Sequence, residues 1–404
     1  MSVIKKIPQN SEILTRAVDK IITPDELRKK LDSGKQLRIK FGADVTASSL
    51  HIGHAVNLWK MREFQERGHK VVFLVGDFTT RTGGDPTDRL EARSKIAAKN
   101  IEQWTKNFIK EIGRVLLTDK KVFEVRRNSE WYSKMKAGDL LDLLSLFTHS
   151  RLIERDMFQR RIKEGKEIWL PELLYPVLQG YDSVMLKSDL TIIGSDQLFN
   201  EGVGRFLQEK FGQPPQALIT TVITPGLDGG EKMSKSRGNY IGLSDSPQDK
   251  FGKAMRILDS LIIQYLEIYT DTPMADIRKL NEQLKRGKNP RDAKLFFAEA
   301  LARRYHGEAI ARKERERFLK IFSERQNPKD APVVKVSSQP ITPVDLLVKS
   351  GLVSSKSEAR RLVAQRAMDI NGRTISDLNE KIIIRDNSIL KLGKKKFIRL
   401  KMVN

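Results

Sequence analysis

Two short motifs constrain the fold of this 404-residue chain more than any other feature. The first, His51-Ile52-Gly53-His54, follows an apolar strand-like run and leads into a helical pattern. Such a strand-to-helix junction presents free backbone N–H groups and the positive end of a helix dipole, and both favour anions. The second motif, Lys232-Met233-Ser234-Lys235-Ser236, lies far downstream beside Gly229, Gly230 and Gly238. As a pair the motifs predict a nucleotide site whose two halves come from distant parts of one α/β fold.

The composition narrows the class of protein. The chain has 74 Lys and Arg against 51 Asp and Glu, a formal net charge of +23, for which the usual partner is a phosphate polymer. A merely soluble basic surface remains the alternative. The absence of cysteine excludes disulfides, thiolate zinc sites and cysteine nucleophiles. The longest apolar runs, such as residues 71–75, are too short to span a bilayer, and the N-terminus lacks an apolar signal stretch. We therefore predict a cytoplasmic protein with no membrane contact.

The order of apolar runs predicts the organisation of the chain. Runs at residues 37–41 and 71–75 each end in glycine and precede helical patterns, as in a parallel α/β sheet, and further strand-like runs occur at 122–125 and 190–193. Residues from about 248 to 322 contain helix-forming sequence only. A stretch rich in Pro, Ser and Gln follows at residues 326–340 and is predicted to be a linker.

Residues 341–404 are predicted to form a separate basic module, with 14 Lys or Arg against six Asp or Glu. Ser355 and Glu358 have the spacing of a capping box that opens a helix, which we predict to continue through Met368. Asn371-Gly372 predicts a hairpin turn, and residues 397–402 a final strand. A basic helix and a basic β-ribbon suit an RNA phosphate backbone, although a solvated charge run is the alternative. The candidate RNA-binding side chains are Arg360, Arg361, Arg366, Lys394, Lys395 and Lys396.

The chemistry of the two motifs points to attack on an α-phosphate. Gly53 allows an adenine ring to approach the backbone, and the two histidines of its motif share one side of the first helical turn. Lys232 and Lys235, on a glycine-flanked loop, would stabilise a pyrophosphate leaving group. Positioning and charge stabilisation matter more for such a reaction than a general base. No Walker loop is present, and the two histidines lack the further ligands of a metal site, so we expect no protein-held metal.

A third cluster points to the second substrate. Tyr175, Gln179 and Asp182 are spaced i, i+4, i+7, which places them on one face of a helix. Such a polar stripe predicts a pocket for a small polar ligand, although a solvent-facing stripe of an amphipathic helix has the same pattern. Asp196, after a strand and Gly194, is well placed to bind ribose hydroxyls.

With these motifs the chain resembles a bacterial-type tyrosyl-tRNA synthetase, a class I aminoacyl-tRNA synthetase. The tyrosine branch is suggested by Gly76-Asp77-Phe78, Gly84-Asp85-Pro86, Leu178-Gln179-Gly180-Tyr181-Asp182 and Gly194-Ser195-Asp196-Gln197. The resemblance implies an α/β fold: a Rossmann-like catalytic domain at 1–228 with a helical insertion at about 95–175, then a helical anticodon-side domain at 229–325. The tail is similar to an S-four RNA-binding domain.

The resemblance also implies partners, ligands and residue roles. The partners would be tRNA(Tyr), tyrosine and ATP with Mg²⁺, and the protein would be a homodimer. The implied tyrosine-binding residues are Asp85, Tyr175, Gln179, Asp182 and Gln197. The implied ATP-binding residues are Asp44, His51, Gly53, His54, Gly194, Asp196, Lys232, Lys235 and Ser236. The implied catalytic residues are Thr46, His51, His54, Lys232 and Lys235, together with Arg89 and Arg93 on a loop.

Three departures from the family pattern bear on the substrate contacts. Lys40 stands where many members have a tyrosine, Val45 replaces a proline, and Ile193 replaces a glycine. Three other functions compete: a tryptophanyl-tRNA synthetase, a catalytically idle RNA-binding protein on the same fold, and a nucleotidyltransferase for a small cofactor. The basic tail argues against the first and the last of these, and the retained histidines and lysines argue against the second.

Overall fold

A computed structural model describes residues 4–44, 50–81, 98–230, 232–234, 237–323, 331–337, 339–393 and 396–403. The singled-out residues outside these ranges are Val45, Thr46, Asp85, Arg89, Arg93, Lys235, Ser236, Lys394 and Lys395. The chain divides into two compact units, Met1–Ala311 and Arg312–Asn404.

The first unit is built on a six-stranded sheet. Its strands are β1 (Val18–Ile22), β2 (Arg38–Ala43), β3 (Lys70–Val75), β4 (Phe123–Arg127), β5 (Leu190–Gly194) and β6 (Ala217–Thr221). The spatial order is β1-β6-β5-β2-β3-β4, and all neighbours are parallel except β1, which pairs antiparallel with β6. The four strands expected from the sequence are confirmed. The first and the last strand along the chain, β1 and β6, were not predicted from the sequence.

Helices cover the sheet and extend beyond it. Those between strands are α1 (Pro24–Asp32), α2 (Ile52–Gln65), α3 (Asp77–Arg81), α4 (Ala98–Ile112), α5 (Ser129–Tyr132), α6 (Ala137–Leu144), α7 (His149–Leu152), α8 (Asp156–Lys163), α9 (Leu170–Leu186) and α10 (Leu198–Lys210). After β6 follow α11 (Pro247–Ala254), α12 (Ile262–Tyr269), α13 (Met274–Lys285), α14 (Pro290–His306) and α15 (Glu308–Phe318). From 248 to 322 the described residues form helices and the turns between them, as predicted, with a final π-helical turn at Leu319–Ser323. None of the helices in the described residues is long and apolar enough to cross a membrane.

Strand β3 contributes a row of buried side chains to the core of the first unit. Val71, Phe73 and Val75 alternate along β3 and are buried, and the Phe73 ring stacks on Phe108 of α4 at a centroid distance of 5.4 Å. Each such fully buried side chain contributes about 1.5–3 kcal/mol of hydrophobic free energy. The strand order reverses between β5 and β2, and in open parallel sheets ligands bind at the carboxyl ends of strands at such a switch point.

The second unit begins within α15 and is built on a five-stranded sheet with two helices packed in the same region of the chain. The elements are β7 (Val333–Ser337), α16 (Pro343–Lys349), α17 (Lys356–Ala364), β8 (Met368–Ile370), β9 (Arg373–Ile375), β10 (Ser388–Leu392) and β11 (Lys396–Val403), with sheet order β7-β11-β10-β8-β9. The predicted hairpin is confirmed, since Asn371 and Gly372 take φ angles of 51° and 89° between β8 and β9. Two positive φ angles are what a type I′ turn requires.

Two sequence predictions for this unit are wrong. The helix predicted to run through Met368 ends at Ala364, because Arg366 takes a left-handed φ of 55° and Ala367 N–H bonds back to Leu362 O at 3.0 Å. Ser355 does cap this helix, accepting from Glu358 N, but the Glu358 carboxylate accepts from Ser354. Part of the predicted linker is also a strand, since β7 pairs parallel with β11.

Candidate functional site

A cavity of about 360 Å³ opens where the carboxyl ends of β2 and β5 diverge. The predicted site residues that line it are Asp44, Tyr175, Gln179, Asp182, Gly194, Asp196 and Gln197. Side chains that were not predicted line it as well, namely Asn57, Thr79, Thr191 and Glu201, together with Lys40 and Ile193, which the sequence marked only as departures. The cavity does not include His51, Gly53, His54 or Lys232.

Helix α9 presents the predicted polar face to this cavity. Gly180 makes this possible, because a Cβ there would lie 2.8 Å from a methyl group of Val203 and 3.0 Å from the backbone N of Gly204. The close approach brings α9 against α10, so that Gln179 Nε2 donates to Glu201 at 2.7 Å and its Oε1 accepts from Asn200 at 2.7 Å. The polar stripe is therefore part of a pocket wall, and the alternative of a solvent-facing stripe is excluded.

Asp182 is one of two buried carboxylates that line the pocket, the other being Glu201, and 4% of the Asp182 surface is exposed. The indole Nε1 of Trp131 donates to its Oδ1 at 3.0 Å. Burial raises the pKa of Asp182 to about 7, against the opposing effects of the Lys40 ammonium and of hydrogen bonds from Trp131, Tyr132 and Asn128. Near neutral pH the pocket thus contains an acceptor poised between its two protonation states, and such a strongly perturbed group in a cleft is a mark of a functional site.

Lys40 is neutralised inside the pocket wall by a residue that sequence reasoning missed. Its Nζ lies 2.7 Å from Glu201 Oε2 and 2.6 Å from Ser183 Oγ, and both charged side chains are 2% exposed. A lysine facing a buried site needs a partner, so Lys40 itself was the signal that an acidic residue lies nearby. Glu201 also accepts from Gln216 at 2.7 Å, which joins the pair to a buried network beneath Gln179.

Breaking this pair has a predictable cost. Lys40→Met leaves Glu201 charged and buried without its partner, so we expect the free energy of unfolding to fall by about 3–5 kcal/mol. The double variant Lys40→Met/Glu201→Gln removes both charges and should regain more than half of that loss. Urea unfolding of the wild type, both single variants and the double variant measures the coupling. Additive effects of the two substitutions would show that the pair does not interact energetically.

Asp44 and Tyr175 form one corner of the cavity. The Tyr175 hydroxyl donates to Asp44 Oδ2 at 2.8 Å, and Thr79 Oγ1 donates to Asp44 Oδ1 at 2.7 Å. Gly76 leaves the space for this carboxylate, since a Cβ there would lie 2.3 Å from Asp44 Oδ1. A carboxylate, a phenol oxygen and the nearby amide of Gln179 suit a substrate ammonium group.

Asp196 links this cavity to a larger one. A Cβ at Gly194 would lie 2.5 Å from Asp196 Oδ1, so glycine is needed there for the carboxylate to lie against residue 194. The other oxygen of this carboxylate accepts a hydrogen bond from Gln197 at 3.2 Å. The second cavity has a volume of about 760 Å³, and Asp196 lines both cavities. Its basic lining residues are Arg151, Arg155, Arg160 and Lys232.

The described parts of the two motifs lie beside each other at the start of α2. The rings of His51 and His54 have centroids 3.7 Å apart on the same side of the first turn, as their spacing predicted. His51 N–H donates to His54 Nδ1 at 3.2 Å. A Cβ at Gly53 would lie 2.9 Å from His51 Nδ1 and 3.7 Å from the sulfur of Met233. Gly53 therefore leaves room for the histidine ring, and the loop that carries Lys232 and Met233, here called the lysine loop, lies at ordinary packing distance from the same position.

A buried asparagine braces the described part of the lysine loop. Asn239 Oδ1 accepts from Ser234 N at 2.8 Å, while its Nδ2 donates to Asp228 Oδ1 at 3.1 Å. The hydrogen bonds from Asn239 and from the backbone N–H of Gly230 hold the pKa of Asp228 below its usual range. Met233 is buried and Lys232 is exposed, so the loop is anchored by its apolar residue while its ammonium group faces outward. Among the described residues, no three His, Asp or Glu side chains converge to hold a metal ion.

In the C-terminal unit, Arg360 and Arg361 lie on α17 and Arg366 just beyond it, and all three are exposed. Lys396, at the start of β11, is exposed and donates to Leu352 O at 3.0 Å. The four described cations of the predicted RNA-binding set are thus accessible to a phosphate backbone.

Comparisons with known proteins give the family. The family model for tRNA synthetases class I (W and Y) matches residues 32–323, and the model for the tyrosine–tRNA ligase SYY-like C-terminal domain matches residues 324–400. The chain belongs to the tyrosine–tRNA ligase family. It is 43% identical to the tyrosine–tRNA ligase of Thermotoga maritima over 96% of both chains, and 40% identical to that of Aquifex aeolicus over 96% of this chain and 97% of the relative.

Solved structures share the fold at lower identity. A truncated mitochondrial tyrosyl-tRNA synthetase of Aspergillus nidulans superposes with a TM-score of 0.61 at 21% identity, covering 76% of this chain and 91% of the other. The tyrosyl-tRNA synthetase of Archaeoglobus fulgidus gives a TM-score of 0.58 at 21% identity, covering 75% and 98%. The Rossmann-like catalytic fold expected from the resemblance is confirmed.

Proposed function

We propose that this chain activates tyrosine with ATP to form tyrosyl-adenylate and pyrophosphate, and then transfers the tyrosyl group to the 3′-terminal adenosine of tRNA(Tyr). The observation that carries the proposal is the buried carboxylate of Asp182 in the wall of a cavity that Lys40 and Gln179 also line. A phenol hydroxyl can donate a hydrogen bond to a buried carboxylate. An indole would donate from a different position, and an unsubstituted phenyl ring would leave the carboxylate without that hydrogen bond. The tyrosine-named relatives support the same substrate.

The residues divide by the part of the substrates that they would hold. In this proposal Asp182 accepts from the phenol, while Tyr175, Gln179 and Asp85 hold the α-ammonium group with Asp44 beside them. Gln197 helps to position the amino acid, and Gly194 and Asp196 receive the ribose. The tyrosine carboxylate oxygen attacks the α-phosphorus, and the bond to the pyrophosphate oxygen breaks. His51, His54, Thr46, Lys232 and Lys235 stabilise the leaving pyrophosphate, with Ser236, Arg89 and Arg93 as further contacts.

Positioning, rather than proton transfer, would dominate this chemistry. The two motifs lie side by side at Gly53 and Met233, so the histidines and the lysine loop can bind one set of phosphates. Aminoacyl-tRNA synthetases use ATP, and we propose that Mg²⁺ enters with its phosphate oxygens, since this ion keeps several waters and binds through substrate phosphates.

We assign catalysis to residues 1–228. This domain includes a helical insertion at about 95–175, which also contributes β4. Residues 229–325 would carry the lysine loop and the anticodon-side helices. The RNA-binding domain would begin with β7, ahead of the 341–404 expected from composition.

The cavity of about 760 Å³, which three arginines and Lys232 line, would receive the 3′ end of the tRNA, because it joins the first cavity at Asp196. The proposal includes a cytoplasmic location, where ATP and uncharged tRNA are found.

We further propose that the chain forms a homodimer through its central region. Strand β4 is an edge of the sheet, and large apolar side chains are exposed on it and on the helices that follow. These side chains are Val125, Leu141, Ile162, Trp169 and Leu170. Sedimentation equilibrium should give twice the chain mass, and Trp169→Glu with Leu170→Glu should shift the equilibrium toward monomer. A wild-type monomer at micromolar concentration would contradict this part of the proposal.

The two half-reactions separate the catalytic and RNA-binding roles. Reversing the charge at Arg360 and Arg361 together should raise the KM for tRNA by about 10-fold or more and lower its salt dependence, because two phosphate contacts are lost. Tyrosine-dependent exchange of pyrophosphate into ATP should remain unchanged. Charge reversal at Lys120 and Lys121, adjacent exposed cations between α4 and β4, serves as a control of equal charge outside the proposed tRNA-binding regions. Equal effects of the two pairs on charging would mean that net charge alone, and not α17, binds the RNA.

A further inference from the structure

Helix α11 contains a buried cation that no step of the proposed reaction uses. Lys250 is 0% exposed, and its Nζ donates to the carbonyl oxygens of Gly242 at 2.6 Å and Leu243 at 3.2 Å. Its third contact is the face of the Tyr305 ring, with the nitrogen 4.7 Å from the centroid. Among the described residues no carboxylate lies within ion-pair distance of it. Burying a lysine without a direct counter-ion is costly, so a specific role for it is expected.

The carbonyls that Lys250 holds belong to the segment that pairs with the histidine motif. Ile52 N donates to Ile241 O at 2.9 Å, and Leu243 N donates to Leu50 O at 2.9 Å. These two bonds flank His51, which faces Gly242 in an antiparallel bridge. Lys250 therefore holds the segment at residues 241–243, and this segment pairs through its backbone with the segment that contains His51.

The same segment follows directly on the lysine loop. Tyr240 has its ring centroid 5.9 Å from that of His51, and Lys253 Nζ lies 5.0 Å from the Tyr240 ring. Lys253 also pairs with Asp245 at 2.7 Å, and Asp245 accepts from Gly242 N at 2.7 Å. Residues 240–245 are thus fixed on one side by two lysines of α11 and on the other by the histidine motif.

We propose that Lys250 is a positioning residue for adenylate formation, holding the 241–243 segment so that His51 and the lysine loop keep their mutual register. The inference rests on the proposed function and adds to it a residue that touches neither substrate cavity. Its loss should therefore reduce the rate of the chemical step and leave tyrosine binding intact, since misplacement of catalytic groups by a fraction of an ångström lowers kcat.

The test compares wild type, Lys250→Met and the control Lys279→Met, an exposed lysine on α13. For Lys250→Met, kcat for tyrosine-dependent pyrophosphate exchange should fall about 10–100-fold while the tyrosine Kd changes less than about twofold. Hydrogen exchange at the Ile52 and Leu243 amides should become faster, which reports the register independently of activity. Should Lys250→Met be isolated unfolded, Lys250→Gln, which keeps one amide donor, is measured by the same criteria.

The pH profile separates this role from simple packing. Burial lowers the pKa of Lys250 to about 8. The charged or titratable groups around it are Asp245, Glu111, Arg114, Lys253, His306 and Tyr305. The advantage of the wild type over Lys250→Met should be largest below pH 8 and shrink above it, because the neutral amine makes weaker bonds to the two carbonyls.

Two results would overturn the inference: unchanged kcat and unchanged amide exchange in the folded variant, or parallel loss of tyrosine binding and kcat. If the wild type shows no tyrosine-dependent exchange of pyrophosphate into ATP, the proposed function fails. Hydrogen exchange at the Ile52 and Leu243 amides in the variant still reports whether Lys250 holds the segment.

Discussion

Asp182→Asn is expected to lower kcat/KM for tyrosine activation by at least about 10²-fold, with ATP binding retained. The substitution is nearly isosteric, but Trp131 Nε1 already donates to one oxygen of the carboxylate. The asparagine oxygen would stay on Trp131, so its NH₂ group would turn toward the substrate. A donor would then face the phenol donor at a position that is only 4% exposed. Asp182→Ala should be at least as severe.

The same variant is expected to be more stable than the wild type at pH 8. Because the folded-state pKa of Asp182 is about 7 and that of an unfolded aspartate is about 4, the folded protein binds more protons between these values. The free energy of unfolding of the wild type therefore falls as pH rises from 4 to 7, by about 1.4 kcal/mol for each pH unit of separation. Asparagine removes this dependence. Thermal unfolding at pH 5 and pH 8 measures the difference.

The control for Asp182→Asn is Asp142→Asn, an exposed aspartate of α6. It should change neither activation nor the pH dependence of stability. Full activity of Asp182→Asn with tyrosine would remove the phenol-binding role, and with it the main support for the substrate.

Gly53→Ala is expected to reduce kcat for tyrosyl-adenylate formation by about 10–10²-fold without loss of folding. Alanine stabilises a helix relative to glycine by about 1 kcal/mol, so α2 itself should become more stable. The added Cβ, however, would lie 2.9 Å from Nδ1 and 3.0 Å from Cε1 of His51. The histidine ring must then move away from the position in which it packs on His54.

The matched control is Gly138→Ala, since Gly138 also lies in a helix and has open space where its Cβ would be. Steady-state kinetics and thermal unfolding of both variants separate the two effects of alanine. Activity of Gly53→Ala within twofold of the wild type would show that the space beside His51 is not needed by the reaction.

Strand β3 was predictable because its side chains are buried on both faces of the sheet. Residues 71–75 form an uninterrupted apolar run ending in glycine, and the strand found there differs by one residue at its start. Strands β1 and β6 were missed for different reasons. The first has mixed, half-exposed residues, and the second is a five-residue run that periodicity cannot distinguish from a buried helix segment.

The site was predictable where spacing along one element decided it, and unpredictable where distant elements meet. The i, i+4, i+7 face of α9 follows from helix geometry alone. The pairing of Lys40 with Glu201, and the backbone pairing of His51 with Gly242, depend on how α10 and the 241–243 segment pack, and no local pattern encodes them. The early end of α17 has the same origin, since arginine at residue 366 has no local preference for a left-handed φ.

Tyrosine-, tryptophan- and phenylalanine-dependent exchange of labelled pyrophosphate into ATP, measured in parallel, tests the central claim most directly. The buried carboxylate of Asp182 predicts exchange with tyrosine alone, and loss of that exchange in Asp182→Asn. Exchange supported by tryptophan, or by phenylalanine as well as by tyrosine, would contradict the assignment of the pocket. No exchange with any of the three, from folded protein, would contradict the proposed activity itself.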